Sequence, residues 1–176
     1  RKKETNMPHS LTSQRRRSLL LAAGAALATP LAAHAQAGGE DIVIGGSIPM
    51  TGVFAFAGIG IDAGIKDYLK IVNDAGGIKG RKLKYVPEDT GYKVDVSVAA
   101  FKKITSQNKV HLYYGDSTGF AKTIHPQLDR TGAIMMAGAS FATELNDPVK
   151  YPNQFLVGPD YTEMFGILLK HIAKEK

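Results

Sequence analysis

The stretch Gly115-Asp116-Ser117-Thr118-Gly119 fits the pattern G-x-S-x-G, which sets a serine on a tight turn between a strand and a helix and exposes its hydroxyl for acyl transfer. That chemistry needs a general base within hydrogen-bond reach of the serine and an acid to orient the base. Asp147 or Asp160, followed by His171, stand in the chain order that such a hydrolase uses. His171, however, lies inside a helical pattern between Lys170 and Ile172, and His125 reads as an ordinary member of the helix after the motif. The other reading of the same residues is a cradle. Ser117 and Thr118 after one strand, and Ala139 and Ser140 after the next, stand at loop and helix starts, where free backbone N–H groups and hydroxyls suit a carboxylate. Small residues there let a ligand approach the backbone closely. Phe54, Phe56 and Tyr92 in neighbouring loops supply apolar walls of the kind small-molecule pockets use, although each could equally cover core.

A third chemistry is hydride transfer with a dinucleotide, since Gly58-Ile59-Gly60-Ile61-Asp62-Ala63 matches G-x-G-x-x-A and Glu88 or Asp89 follows the second strand like a ribose acceptor. The pyrophosphate reaches a helix N-terminus only if the first glycine sits in the turn directly after strand one. Here Ser47 to Ala57 intervenes, which speaks against it. The chain has no cysteine, which removes a thiolate nucleophile or ligand, and none of its five histidines falls at H-x-x-x-H or H-E-x-x-H spacing. No metal and no cofactor is expected.

These residues are positioned by an alternation of short β-branched runs with longer amphipathic ones. Asp41 to Ile48 reads as a first strand, uniformly apolar and therefore central. A loop from Pro49 to Gly58 follows, then Ile61, Ile65, Tyr68, Leu69 and Val72 recur at helical spacing until Gly76-Gly77 ends the helix. Lys82 to Val86 alternates like a strand nearer an edge, and Asp95 is a candidate cap for the next helix. Val110 to Tyr114 is strand three, and the helix after it runs towards Arg130 with Pro126 expected to kink or split it. Ala133 to Ala137, Phe155 to Val157 and a helix from Tyr161 to Lys174 complete the pattern. Strands and helices at this spacing predict an α/β fold with a parallel doubly wound sheet. In such a sheet ligands bind beyond the carboxyl ends of the strands, where all the unusual loops here lie.

Charge has a local origin. The formal net charge is +6, but six of the 22 basic residues and one of the 16 acidic ones fall within residues 1–37, which leaves 16 basic against 15 acidic beyond them. A body that nearly neutral has no electrostatic footprint for a polyanion, so nucleic acid is excluded as a partner. Arg15-Arg16-Arg17, the apolar run Leu19 to Ala33 and the A-x-A steps Ala33-His34-Ala35 and Ala35-Gln36-Ala37 follow the order of a secretory signal peptide. Residues 7–37 are so assigned, twin-arginine or general, and residues 1–6 are read as lying upstream of the true start at Met7.

From Asp41 onward the chain resembles the periplasmic leucine/isoleucine/valine-binding protein family, the type I solute-binding proteins of ABC importers. The resemblance rests on Ile48-Pro49-Met50-Thr51-Gly52, on Val72 to Leu83 with its Gly76-Gly77-Ile78-Lys79-Gly80-Arg81 core, on Glu88-Asp89, and on Gly138-Ala139-Ser140. It implies a non-enzymatic, exported protein of two lobes that closes over an amino acid or related amide and delivers it to an inner-membrane ABC permease. Residues 38–158 would form the N-terminal lobe and 159–176 the hinge and first helix of a second lobe, the rest of which this chain lacks. A lobe without its partner is expected to bind weakly or not at all. By position, Ser117 or Thr118 would be the first ligand contact and the Ala139 backbone with Ser140 the second. Relatives often carry an aromatic after strand one where Ala57 stands, with Phe56 beside it. A sensory ectodomain of the same fold is the nearest alternative to transport.

Overall fold

The computed structural model describes residues 39–131, 134–138 and 140–175. The expected signal segment and Ala139 lie outside the described residues. β1 (Ile42–Ile48) pairs in parallel with β2 (Leu83–Asp89) on one side and β3 (Val110–Gly115) on the other. β4 (Met135–Gly138) and β5 (Gln154–Leu156) continue beyond β3, giving a parallel sheet of order β2-β1-β3-β4-β5. β1 is thus an interior strand paired on both sides, as its unbroken apolar run predicts, and β2 is an edge strand, as is β5. Because the chain steps from β1 to β2 in one direction and from β2 across to β3 in the other, right-handed crossovers put helices on both faces. α1 (Ala55–Asp74) covers one face, where Ile61, Ile65 and Leu69 meet Ile42, Ile44 and Leu112 around a groove. α2 (Val94–Gln107) and α3 (Thr118–Thr131) cover the other.

The core lies on the α2/α3 face. Phe101 and Ile104 of α2, Phe120, Ile124 and Leu128 of α3, and Val43 and Tyr113 of the sheet are all buried in one cluster. Tyr113 is its centre: Phe101 meets the ring at 4.9 Å and Phe120 at 5.9 Å. The ring lies so close to β1 that a Cβ on Gly45 would come within 2.7 Å of it. Only glycine leaves room there.

The Gly76-Gly77 stop forms as expected. The Gly77 N–H bonds the Val72 carbonyl and the Gly76 N–H that of Asn73, a Schellman closure with both glycines at positive φ. Lys79 and Gly80, also at positive φ, then make a two-residue hairpin turn between Ile78 and Arg81.

Several boundaries differ from the sequence reading. α1 begins at Ala55, so the loop after β1 ends at Phe54, and Gly58-Ile59-Gly60 lies inside the helix. A Cβ on Gly58 would fall 2.1 Å from the Pro49 carbonyl oxygen, so this glycine serves close helix-to-loop packing and not a phosphate turn. β2 runs on to Asp89. Lys93 flanks α2, which leaves Asp95 in the first turn, where its charge favours the helix dipole without capping it. α3 passes Pro126 as one helix, held by its buried face of Phe120, Ala121, Ile124 and Leu128. α4 (Tyr161–Lys174) has the predicted bounds and starts in a capping box between Asp160 and Glu163.

Candidate functional site

The strand order reverses between β2-β1 and β1-β3, so the loops leaving β1 and β3 part company and open a crevice at their carboxyl ends. A cavity of about 130 Å³ fills it, lined by Pro49, Phe54, Ala57 and Ile61 after β1, Tyr92 after β2, and Tyr114 and Asp116 at the end of β3. Phe54 and Tyr92 stack with ring centroids 4.0 Å apart. Tyr92 holds a φ of 64°, a left-handed conformation that a bulky side chain adopts only under constraint. The constraint is visible: its N–H bonds Thr90 Oγ1, while Asp89 Oδ1 accepts from the N–H groups of Gly91 and Thr51 and ties the loop after β2 to the loop after β1. Burial alone would raise the Asp89 carboxyl, but the hydrogen bonds from Thr51 and Gly91 outweigh it and hold the group below its ordinary value.

Beneath the cavity runs a buried polar chain. Ser47 Oγ on β1 lies 2.8 Å from Tyr113 Oη and donates to the Ser97 carbonyl. Ser97 Oγ donates to Asp116 Oδ2 at 2.8 Å, and Thr90 Oγ1 donates to the same oxygen. Asp116 Oδ1 has no partner, although the residue is only 3% exposed. Burial first, and the field of Asp116 second, push the Tyr92 and Tyr114 phenols above their ordinary value, so both stand as neutral hydroxyls at neutral pH.

The residues singled out in the sequence fall in different places. Thr118 and Ser140 come together, their hydroxyls 2.8 Å apart across the adjacent ends of β3 and β4. Ser140 Oγ also accepts the Ala142 N–H. Ser117 is buried and caps α3, its Oγ accepting the Phe120 N–H at 3.2 Å. Tyr92 lines the cavity; Phe56 points to solvent at 80% exposure, and it is Phe54, with Ala57, that faces the cavity. Asp116 was missed by sequence reasoning. The signal available was its place in the tight turn itself, an acid among small residues at a strand end.

The pieces of a hydrolase are not assembled. His125 pairs with Asp129 at 3.3 Å and packs edge-on against Tyr151, His171 is exposed on α4, and Asp160 is occupied as that helix's cap. Among the described residues no group of three or more His, Asp or Glu could hold a metal ion, and no helix is long and apolar enough to cross a membrane.

A doubly wound lobe with hydroxyls and aromatics gathered at its switch point is the architecture of a small-molecule binder. The chain belongs to the periplasmic binding protein family, whose profile it matches over residues 41–176. Among solved structures it is similar to a branched-chain amino acid ABC transporter protein from Thermus thermophilus with bound valine, at 26% identity and a TM-score of 0.68 over 79% of this chain and 36% of that one. It is similar also to a putative branched-chain amino acid ABC transporter protein from Silicibacter pomeroyi, at 27% identity and a TM-score of 0.67 over 76% and 35% of the two chains. A fatty acid ABC transporter substrate-binding protein from Thermomonospora curvata, 20% identical, shares the fold with a TM-score of 0.67 over 77% and 34%. The chain therefore spans about a third of the length of these structures. No curated protein matches it by sequence.

Proposed function

We propose that this chain is the ligand-binding lobe of an exported solute-binding protein that captures a small carboxylate-bearing molecule, an amino acid or amide among them, and hands it to an inner-membrane ABC permease without chemical change. The observation that carries this reading is the Thr118–Ser140 hydroxyl pair at two adjacent strand ends, beside an aromatic-walled cavity at the switch point. Hydroxyls and the backbone N–H groups of the first turn of α3 accept an anion without a counter-charge. Ser117 takes part through its backbone and as the cap that orients that turn. Similarity to the Thermus thermophilus protein with bound valine supports amino acids as the first class to test.

We read Tyr161–Lys174 as the opening helix of a second lobe. Its residues Phe165, Leu168 and Leu169, at i, i+3 and i+4, are all half or more exposed, a bare apolar face on a well-capped helix. Such a face needs a partner surface to be stable in water. Ligand that touches both lobes would favour the closed arrangement.

The test is thermal unfolding of the full-length protein against aliphatic and aromatic amino acids, short amides and aromatic carboxylates. A hundredfold excess over Kd raises stability by about 2.7 kcal/mol, a plain shift in melting temperature. A shift with one class supports the reading and names the cargo, and a flat panel overturns it.

A further inference from the structure

Resting on that reading for what the site serves, we propose that His111 is a positioning residue: its imidazole heals a one-residue bulge in β3, and that bulge turns Tyr113 into the core and Tyr114 towards the cavity at the switch point.

The first observation is the register. β1 and β3 pair Val43 with Val110 and then Ile44 with Leu112, so two consecutive residues of β1 meet two of β3 with His111 extra between them. Such a bulge is rare between parallel strands, and beside a site it re-aims side chains. Its effect on the two faces is visible here. Successive residues of a regular strand point to opposite faces, so Val110 and Tyr113 would fall on opposite sides of the sheet. Both lie instead in the one core cluster with Phe101 of α2 and Phe120 of α3. Leu112 and Tyr114 line the groove on the α1 face, and Tyr114 and Asp116 reach the cavity. A regular strand of the same sequence, counted from Val110, would send Tyr114 into the core and Tyr113 against α1.

The second observation is the repair. The Ile42 N–H points to β2 and bonds the Lys82 carbonyl, so the next N–H, that of Val43, points to β3. A bulge disturbs the ladder at that place, and there the buried Val43 donates its N–H to His111 Nδ1 at 3.3 Å. Because the backbone group is a donor, Nδ1 is the unprotonated ring nitrogen. The Nε2 edge faces Arg81, whose guanidinium is anchored on the Glu40 carbonyl and comes within 3.5 Å. The extra residue thus brings its own acceptor to the gap that it opens.

The experiment compares the full-length protein with His111→Asn, His111→Leu and a deletion of His111. Asn carries an acceptor oxygen where histidine has Nδ1, whereas Leu fills the same space with a methyl group. His111→Asn is expected to melt within about 2 °C of the parent and His111→Leu about 4–8 °C lower. In His111→Leu the Val43 amide should exchange with solvent faster relative to that of Ile42, and the amide signals of Tyr114 and Asp116 should shift, while His111→Asn restores both. The deletion joins Val110 to Leu112 opposite Val43 and Ile44, leaves nothing to heal, and should melt above His111→Leu. Equal melting of the Asn and Leu variants, or Tyr114 and Asp116 signals unmoved in His111→Leu, overturns the proposal. Where His111→Leu does not fold, the deletion decides: a folded protein with Tyr113 still against Phe120 supports the bulge, and an unfolded one overturns it. All readouts are taken without ligand, so they judge His111 whether or not the solute-binding reading holds.

Discussion

Replacing Gly45 by alanine tests the packing on which the site stands. The new Cβ would meet Tyr113 Cδ2 at 2.7 Å and Cε2 at 2.8 Å, inside the distance real Cβ atoms tolerate, and Ile104 Cγ2 at 3.1 Å. The Tyr113 ring cannot retreat freely, since it is fully buried, with Phe101 and Phe120 against it and its hydroxyl on Ser47. Overpacking of this kind costs about 1–3 kcal/mol, and displacement of the ring adds about 1 kcal/mol for the Ser47 hydrogen bond. The sum, about 2–4 kcal/mol, corresponds at about 4 °C per kcal/mol to a fall of about 8–16 °C in melting temperature. Thermal unfolding followed by circular dichroism reads it directly. A double-mutant cycle assigns the cause: in a Tyr113→Leu background, where the ring is gone, the cost of Gly45→Ala should drop below about 1 kcal/mol. An unchanged melting temperature for Gly45→Ala, or an equal cost in both backgrounds, refutes the argument that the ring over Gly45 locks the β1–β3 junction.

Gly58→Ala, whose Cβ would sit 2.1 Å from the Pro49 carbonyl oxygen, forces α1 away from the loop after β1; it should cost about 2–3 kcal/mol in urea denaturation and weaken ligand binding by moving Ala57 in the cavity wall. Ser117→Ala removes the cap on α3 and should cost about 1 kcal/mol in the same assay; hydrolysis of a chromogenic ester should be equally absent before and after, and a serine-dependent rate would restore the hydrolase reading. The Asp89 carboxyl is held below its ordinary value in the folded state, so its contribution to stability is complete above the ordinary carboxylate range near pH 4 and is lost as pH falls through the folded value. Asp89→Asn should therefore flatten the acid limb of a stability-against-pH curve, and an unchanged limb would contradict that linkage. Tyr113→Phe should destabilise by about 1–2 kcal/mol, because it leaves the buried Ser47 hydroxyl with only its long bond to Ser97.

Features that depend only on neighbours along the chain were legible from the residues alone. The unbroken apolar run Ile42-Val43-Ile44 announces a strand covered on both faces, and Gly76-Gly77 announces where α1 must stop, because period and backbone conformation are local properties. The bounds of α4 were legible for the same reason, and the structure shows the local device at its start, the capping box between Asp160 and Glu163. The start of α1 was not legible, and the site turned on it. A helix rotates about 100° per residue, so beginning at Ala55 sends Phe56 to solvent and turns Ala57 to the cavity, with Phe54 left at the helix entrance to stack on Tyr92. Pro126 failed to break α3 because the buried face of that helix outweighs one lost backbone bond, which is a tertiary and not a local quantity. The state of Asp116 was equally out of reach. Its two donors come from Thr90, 26 positions away, and Ser97, 19 positions away, and only the folded sheet, by ending β1, β2 and β3 side by side, decides that one carboxylate oxygen is bonded twice and the other not at all.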